Sequence, residues 1–326
     1  MTRLKGLTLT VTIAVIATLL GMVVPVIGSA IFAIIFGMVV NHFIRLPDSF
    51  TPGIKYSGKK ILHYSIIVLG FTLSFQAIGE IGLRSLPIII STLIGAFLVV
   101  YMVMKLLRLD TKLSILIGVG TAICGGSAIA ATSPVIKARE SQVAYAISTI
   151  FLFNIIAVFI FPPLGHLLHM SQTAFGYFGG TAINDTSSVV AATANYGGHA
   201  LATGTIVKLT RTLMIVPVVL FFTYLTVKEE RERNHRVSIF QIFPWFIVWF
   251  VVASFVSTVL NFPPALINVF HHIALFLITI AMAGIGLTVD MRQFKQAGIK
   301  PVILGLLTWL VVIVISLIMM KYIQLF

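Results

Sequence analysis

Gly120-Thr121-Ala122-Ile123-Cys124-Gly125-Gly126-Ser127 and Gly180-Thr181-Ala182-Ile183-Asn184-Asp185-Thr186-Ser187-Ser188 lie inside two stretches, 113–136 and 172–197, each long enough to cross a bilayer. The chain around them is apolar, whereas these segments carry paired glycines, hydroxyls, an amide and a carboxylate. Paired glycines break a helix and bare its backbone. At membrane depth, bare backbone is tolerated only where protein or a water-filled cavity satisfies it. The Gly-Thr-Ala-Ile opening occurs in both stretches, and Ser127 is matched by Ser187. The two breaks therefore read as a pair.

The rest of the chain fixes the solvent. Of 326 residues, 59% are hydrophobic and only 10% are charged, against about a quarter charged in soluble domains. So apolar a surface needs lipid. A spanning helix takes about 20 apolar residues, and the runs 7–27, 29–44, 60–79, 86–107, 142–165, 200–227, 240–260, 265–288 and 300–324 meet or approach that length. The run 7–27, followed by Ile27-Gly28-Ser29-Ala30, has some features of a secretory signal. It exceeds the roughly 7–15 residues of a signal's apolar region and reads as the first span. The expected fold is an all-α integral membrane protein, a single polytopic domain over 1–326 with about 9–11 transmembrane helices.

The net charge of +13 could suggest nucleic acid, but the basic residues sit in short clusters between apolar runs and form no basic face. Arg3/Lys5, Arg45/Lys55/Lys59/Lys60, Lys105/Arg108/Lys112, Lys228/Arg231/Arg233/Arg236 and Arg292/Lys295/Lys300 mark one side. The positive-inside rule makes it the cytoplasm, with the N-terminus inside and the C-terminus outside. Loops near 28, 166–171, 195–199 and 261–272 lack Lys and Arg and read as external. Full crossings by both polar stretches would put Lys137 and Arg139 outside and the neutral loop 166–171 inside, whereas re-entrant hairpins reverse both placements and fit the rule better. Cys124 is the only cysteine, which excludes internal disulfides and a thiolate metal cluster; no cofactor or metal is expected.

Residues 70–93 match 284–307 at an offset of 214, with Gly70/Gly284 and Pro87/Pro301 the informative identities. The segments 66–110 and 280–324 read as repeat-related, with loop 80–84 outside and 290–300 inside, hence inverted. Inverted repeats with interrupted helices are a plan of secondary transporters whose sites lie near the bilayer midplane. The candidate binding residues are Thr121, Cys124, Gly125, Gly126 and Ser127 from the first break, and Thr181, Asn184, Asp185, Thr186, Ser187 and Ser188 from the second. Ser127 and Thr186 open half-helices whose positive ends suit an anion. Asp185, deep in its stretch, suits a coupling cation or proton. Lys208 and Arg211, three apart on one helix face, are placed to neutralise an anionic solute, and Asn154 lies mid-span.

These features point to a carrier of a small anionic solute, coupled to Na+ or H+ and working as a monomer or homodimer among lipids. An ion channel would use the same midplane breaks. An intramembrane enzyme would use Cys124 or a serine with Asp185 and His199, but no G-x-S-x-G elbow, H-E-x-x-H motif or metal-ligand cluster supports it; a purely structural membrane protein is the blander alternative. The block 118–131, with Pro134 after it and Val207-Lys208-Leu209-Thr210-Arg211 downstream, resembles the YeiH-type family of bacterial inner-membrane proteins. The resemblance implies export of sulfate, or of an organosulfonate or other organic anion, and kinship with cation/proton antiporter and anion transporter folds. Where many relatives carry His-Asp or His-Glu, this chain has Asn184-Asp185, which leaves any proton coupling through that histidine in question.

Overall fold

The computed structural model describes residues 3–24, 28–44, 46–229, 243–289 and 299–326, with backbone only at 227–229. The basic residues Arg45, Arg231, Arg233, Arg236, Arg292 and Lys295 fall outside the described side chains, as does that of Lys228. The described residues are helical with no strand, and the chain is an all-α integral membrane protein. Among the described residues, six helices are long and apolar enough to cross a membrane: Leu4–Val23, Phe75–Leu107, Glu140–Leu167, Gly198–Thr226, Pro264–Thr288 and Ile299–Tyr322.

In chain order the helices are α1 (Leu4–Val23), α2 (Ser29–Phe43), α3 (Thr51–Tyr56), α4 (Leu62–Gly70), α5 (Phe75–Leu107), α6 (Thr111–Val119) and α7 (Gly126–Thr132). There follow α8 (Glu140–Leu167), α9 (Gln172–Ala182), α10 (Thr186–Tyr196), α11 (Gly198–Leu213), α12 (Ile215–Glu229), α13 (Trp245–Val259), α14 (Pro264–Thr288) and α15 (Ile299–Tyr322). A π-helical turn, Ser57–Ile61, joins α3 to α4, and another, Gly120–Cys124, extends α6.

The apolar run expected at 60–79 is divided differently. Its first part belongs to the helical segment 51–70, and the chain turns at 71–74. Ser74 accepts from the Ala77 backbone N–H at 3.2 Å and caps α5, so the expected loop 80–84 is helix. The charged residues Glu80 and Arg84 are exposed at its sides, where they do not interrupt it.

Both polar stretches return to the end of the bundle from which they start. Lys112 Nζ, at the start of α6, donates to the Lys137 carbonyl at 2.9 Å. Asp110, the N-cap of α6, accepts from Leu113 N at 2.9 Å and from Gln142 Nε2 of α8 at 2.7 Å. Lys300 reaches toward the same end, 3.4 Å from the Leu107 carbonyl. In the second stretch, Gln172 Oε1 accepts from His199 N at 3.0 Å, and Tyr196 Oη donates to the Met170 carbonyl at 2.7 Å. Gly28 and His271 lie beside Asn195 and Gly198 at this second end. The 28-residue α8 runs from the first end to the second, about 42 Å at 1.5 Å per residue.

Close approach of α9 and α11 sets the depth of the second break. A Cβ on Gly176 would lie 2.6 Å from Thr203 Cβ, and one on Gly180 would lie 2.7 Å from Val207. This spacing of small residues lets membrane helices pack backbone to backbone. It brings residues 208 and 211, one turn further along α11, level with the end of α9. Helices α5 and α15 also touch, with Gly95 of α5 facing Ile315 of α15.

With Cys124 replaced by alanine, a single cysteine placed at 138 is expected to react with a membrane-impermeant thiol reagent from one face only, and a cysteine at 168 from the opposite face only. Reaction of both from the same face would overturn the arrangement of ends.

Candidate functional site

Each polar stretch stops being regular helix halfway through. Gly125 has φ +67° and ψ −128°, a conformation open to glycine and strained for other residues. A Cβ there would sit 3.4 Å from Asp185 Cβ and 3.7 Å from Asn154 Nδ2. The second break spans Ile183–Asp185, between the end of α9 and Thr186. Asp185 caps α10: its Oδ2 accepts the Ser187 N–H at 3.0 Å, and the Ser187 hydroxyl donates to the same oxygen. Its own N–H donates to Asn154 Oδ1 at 3.2 Å. The first break, the second break and Asn154 of α8 thus share one place.

Lys208 and Arg211 hold the other side of that meeting point. Both are fully buried. Lys208 Nζ donates to the carbonyls of Ile123 at 2.7 Å, Ile183 at 3.0 Å and Asn184 at 2.5 Å. Arg211 donates through Nε to Ala122 at 2.8 Å, through Nη1 to Ile183 at 3.2 Å and through Nη2 to Thr121 at 2.6 Å. These five carbonyls belong to the C-terminal ends of the first arms, where helix carbonyls lack intrahelical partners and partial negative charge collects. Two such ends facing each other would repel, and the two cations neutralise them.

A cavity of about 1370 Å³ lies against the opposite face of the breaks. Among the candidate residues it is lined by Cys124, Gly126, Ser127, Asn154, Asp185, Thr186 and Ser187. Gly125 lies directly behind this floor. Thr121, Lys208 and Arg211 are on the carbonyl side, outside the lining. Thr181 is turned away from the cavity. Its hydroxyl donates to the Tyr177 carbonyl at 2.7 Å and pairs with the Ser316 hydroxyl of α15. Trp309 Nε1 of α15 donates to the Ala182 carbonyl at 2.9 Å. Ser188 is half-buried outside the lining. The Asn184 side chain is fully buried, with neither Oδ1 nor Nδ2 partnered.

Several lining residues were not among the candidates. Lys59, Lys60 and His63 come from the π turn and α4, and Lys137 from the end of the first hairpin. Phe243, Trp245, Phe246 and Trp249, which resemble an interfacial belt in sequence, also line the cavity. The His63 ring stacks on Phe246 with centroids 4.2 Å apart. The lining reaches the end of the bundle marked by Lys137 and includes no residue of the end marked by Gly28, Met170 and His199.

Residues 5–305 match the family described as Conserved hypothetical protein 698. A UPF0324 membrane protein of Fusobacterium nucleatum is 41% identical over 99% of both chains. UPF0324 membrane proteins of Streptococcus agalactiae and Streptococcus pyogenes are 40% and 42% identical over 97% of this chain and 96% of their own. The chain belongs to this family. The YeiH-type resemblance carried by residues 118–131 and 207–211 points to the same family.

The paired glycines of this UPF0324 protein differ in their surroundings. Gly125→Ala is expected to destabilise by about 1–3 kcal/mol, the usual cost of a forced backbone conformation. A Cβ at Gly126 meets nothing within 4 Å, so Gly126→Ala should be neutral or slightly stabilising. Thermal unfolding of the two variants in detergent compares them directly, and equal stability would contradict the geometry of the break.

Proposed function

We propose that this UPF0324 membrane protein is a secondary transporter of a small anion, binding it at the cavity floor between Ser127, Asn154 and Thr186. One observation carries the proposal: a cavity open toward a single end of the bundle stops where two broken helices meet. Both second arms begin at that floor, at Gly126 and Thr186, so backbone N–H groups and partial positive charge face the solute. Buried behind the floor are two cations, Lys208 and Arg211, against a single cavity carboxylate, Asp185. That balance favours an anion. Lys59, Lys60 and Lys137 line the same cavity and draw anions toward it.

The expected solutes are sulfate and small organosulfonates or other organic anions. Asp185, partly exposed to the cavity, is the group placed to exchange a coupling ion. Orientation follows the positive-inside rule, with the Lys137 end in the bacterial cytoplasm, the N-terminus inside and the C-terminus outside. The two hairpins then enter from opposite faces. Their first arms run about 14 and 11 residues to the breaks, roughly 21 and 16 Å at 1.5 Å per residue, near the middle of a 30 Å hydrocarbon layer. A cavity closed at one end favours a carrier that alternates its access over an open channel. No catalytic role is proposed for Cys124, a buried residue of the cavity lining.

Thermal unfolding of the purified protein against sulfate, isethionate, small carboxylates, chloride and alkali cations tests the solute class. An oxyanion should stabilise by about 2.7 kcal/mol at a hundredfold excess over its Kd, and Ser127→Ala with Thr186→Val should remove the shift. Stabilisation by cations or neutral solutes alone would overturn the anion assignment.

A further inference from the structure

The crossing of the two hairpins has the chemistry of an alkali-cation site, and the protein supplies the cation itself. In transporters with broken helices, the carbonyl-bearing C-terminal ends at the break are where a coupling Na+ is coordinated. Here those ends converge in the same way, but their carbonyls are already taken. Lys208 Nζ is surrounded by three carbonyl oxygens at 2.5–3.0 Å. A carbonyl oxygen only accepts, so three such neighbours require three N–H donors. An ammonium has three donors and no acceptor, whereas a neutral amine would turn its lone pair against one of the oxygens. The geometry therefore identifies Nζ as charged and fully coordinated, with no N–H left for a solute.

Arg211 closes the remaining positions. It takes the Thr121 and Ala122 carbonyls and shares that of Ile183. Around the cavity, two of the side-chain oxygens at the floor are already engaged. Asp185 Oδ2 accepts two hydrogen bonds from Ser187, and Asn154 Oδ1 accepts the Asp185 N–H. Cys124 and Lys208 lie within electrostatic reach of Asp185, with Lys59, Lys60, His63 and Lys137 elsewhere on the lining. Among the described residues no cluster of three His, Cys, Asp or Glu side chains offers a metal site.

We propose that the Lys208 ammonium is a tethered substitute for a bound alkali cation at the crossing, so that the protein neither binds nor requires sodium there. The proposal refines the carrier function proposed above, yet its test needs no transport. Thermal unfolding of the full chain is followed in sodium chloride, potassium chloride and choline chloride at equal ionic strength. In an Asp185→Asn background, which removes the cavity carboxylate offered for a coupling ion, the protein should show no shift specific to sodium. Lys208→Ala leaves the Ile123 and Asn184 carbonyls without their donor, while Ile183 keeps Arg211, and should lower the midpoint by about 5 °C or more, since unpaired buried carbonyls are costly. The variant should then recover part of that loss in methylammonium or sodium but not in choline. A saturable, sodium-specific stabilisation of the Asp185→Asn protein would overturn the proposal, as would a Lys208→Ala variant as stable as the parent. If Lys208→Ala does not fold, the titration of the Asp185→Asn protein decides alone. Failure of oxyanions to stabilise the protein would count against the carrier's solute class and leave this result unaffected.

Discussion

The structure depends on how two helix C-termini are held together inside a membrane. The carbonyls at the ends of α6 and α9 point toward each other, and neither lipid nor a regular helix can satisfy them. Lys208 and Arg211 do so from one face of α11, through six hydrogen bonds to five carbonyls. Burying two cations costs several kcal/mol each even after relaxation. Charge-assisted hydrogen bonds of about 1.5–3 kcal/mol apiece offset that cost. Without them the first arms would repel, and the breaks would have no reason to meet.

Once the C-terminal ends are tied, the placement of everything else follows. The second arms must begin on the far side of the crossing, so Gly126 and Thr186 face away from the cations and toward the cavity. Asp185 stands there as the cap of α10, with its own N–H held by Asn154, whereas α7 starts from Gly125 with no side-chain cap. The same residues that terminate helices thereby line the floor. On the other flank, α15 fixes the end of α9 through Trp309 and Ser316. The crossing is thus clamped between α11 and α15, while the cavity side is left to solvent.

Much of this was legible in the sequence. The glycine pair and the Asn184-Asp185 pair are poor helix formers in an apolar context, and the chain breaks there, directly after each Gly-Thr-Ala-Ile block. Lys208 and Arg211 were recognisable as too deep for the membrane edge. Their direction was not, because a long side chain's partners are decided by the helices packed against it. The spacing of Gly176 and Gly180 on α9 opposite Gly204 on α11 carried that information as a signature of close packing. The gap at 80–84, which holds Glu80 and Arg84, read as a loop, but charged side chains can lie on an exposed helix face, and Ser74 supplied the cap. Lys59, Lys60 and His63 read as an ordinary membrane edge. Only the tertiary arrangement shows that α4 runs along the cavity, and that the aromatic run of α13 faces it as well.

The central claim is that the two breaks form the floor of a water-filled cavity open to one face. Ser127, exposed within that cavity, is the position that reports on it. In a Cys124→Ala background, Ser127→Cys should react with a negatively charged, impermeant methanethiosulfonate applied from the face bearing Lys137, and should be inert to the same reagent from the opposite face. Reaction from the opposite face would contradict the account. So would inertness from both faces while a cysteine at 138 is modified normally.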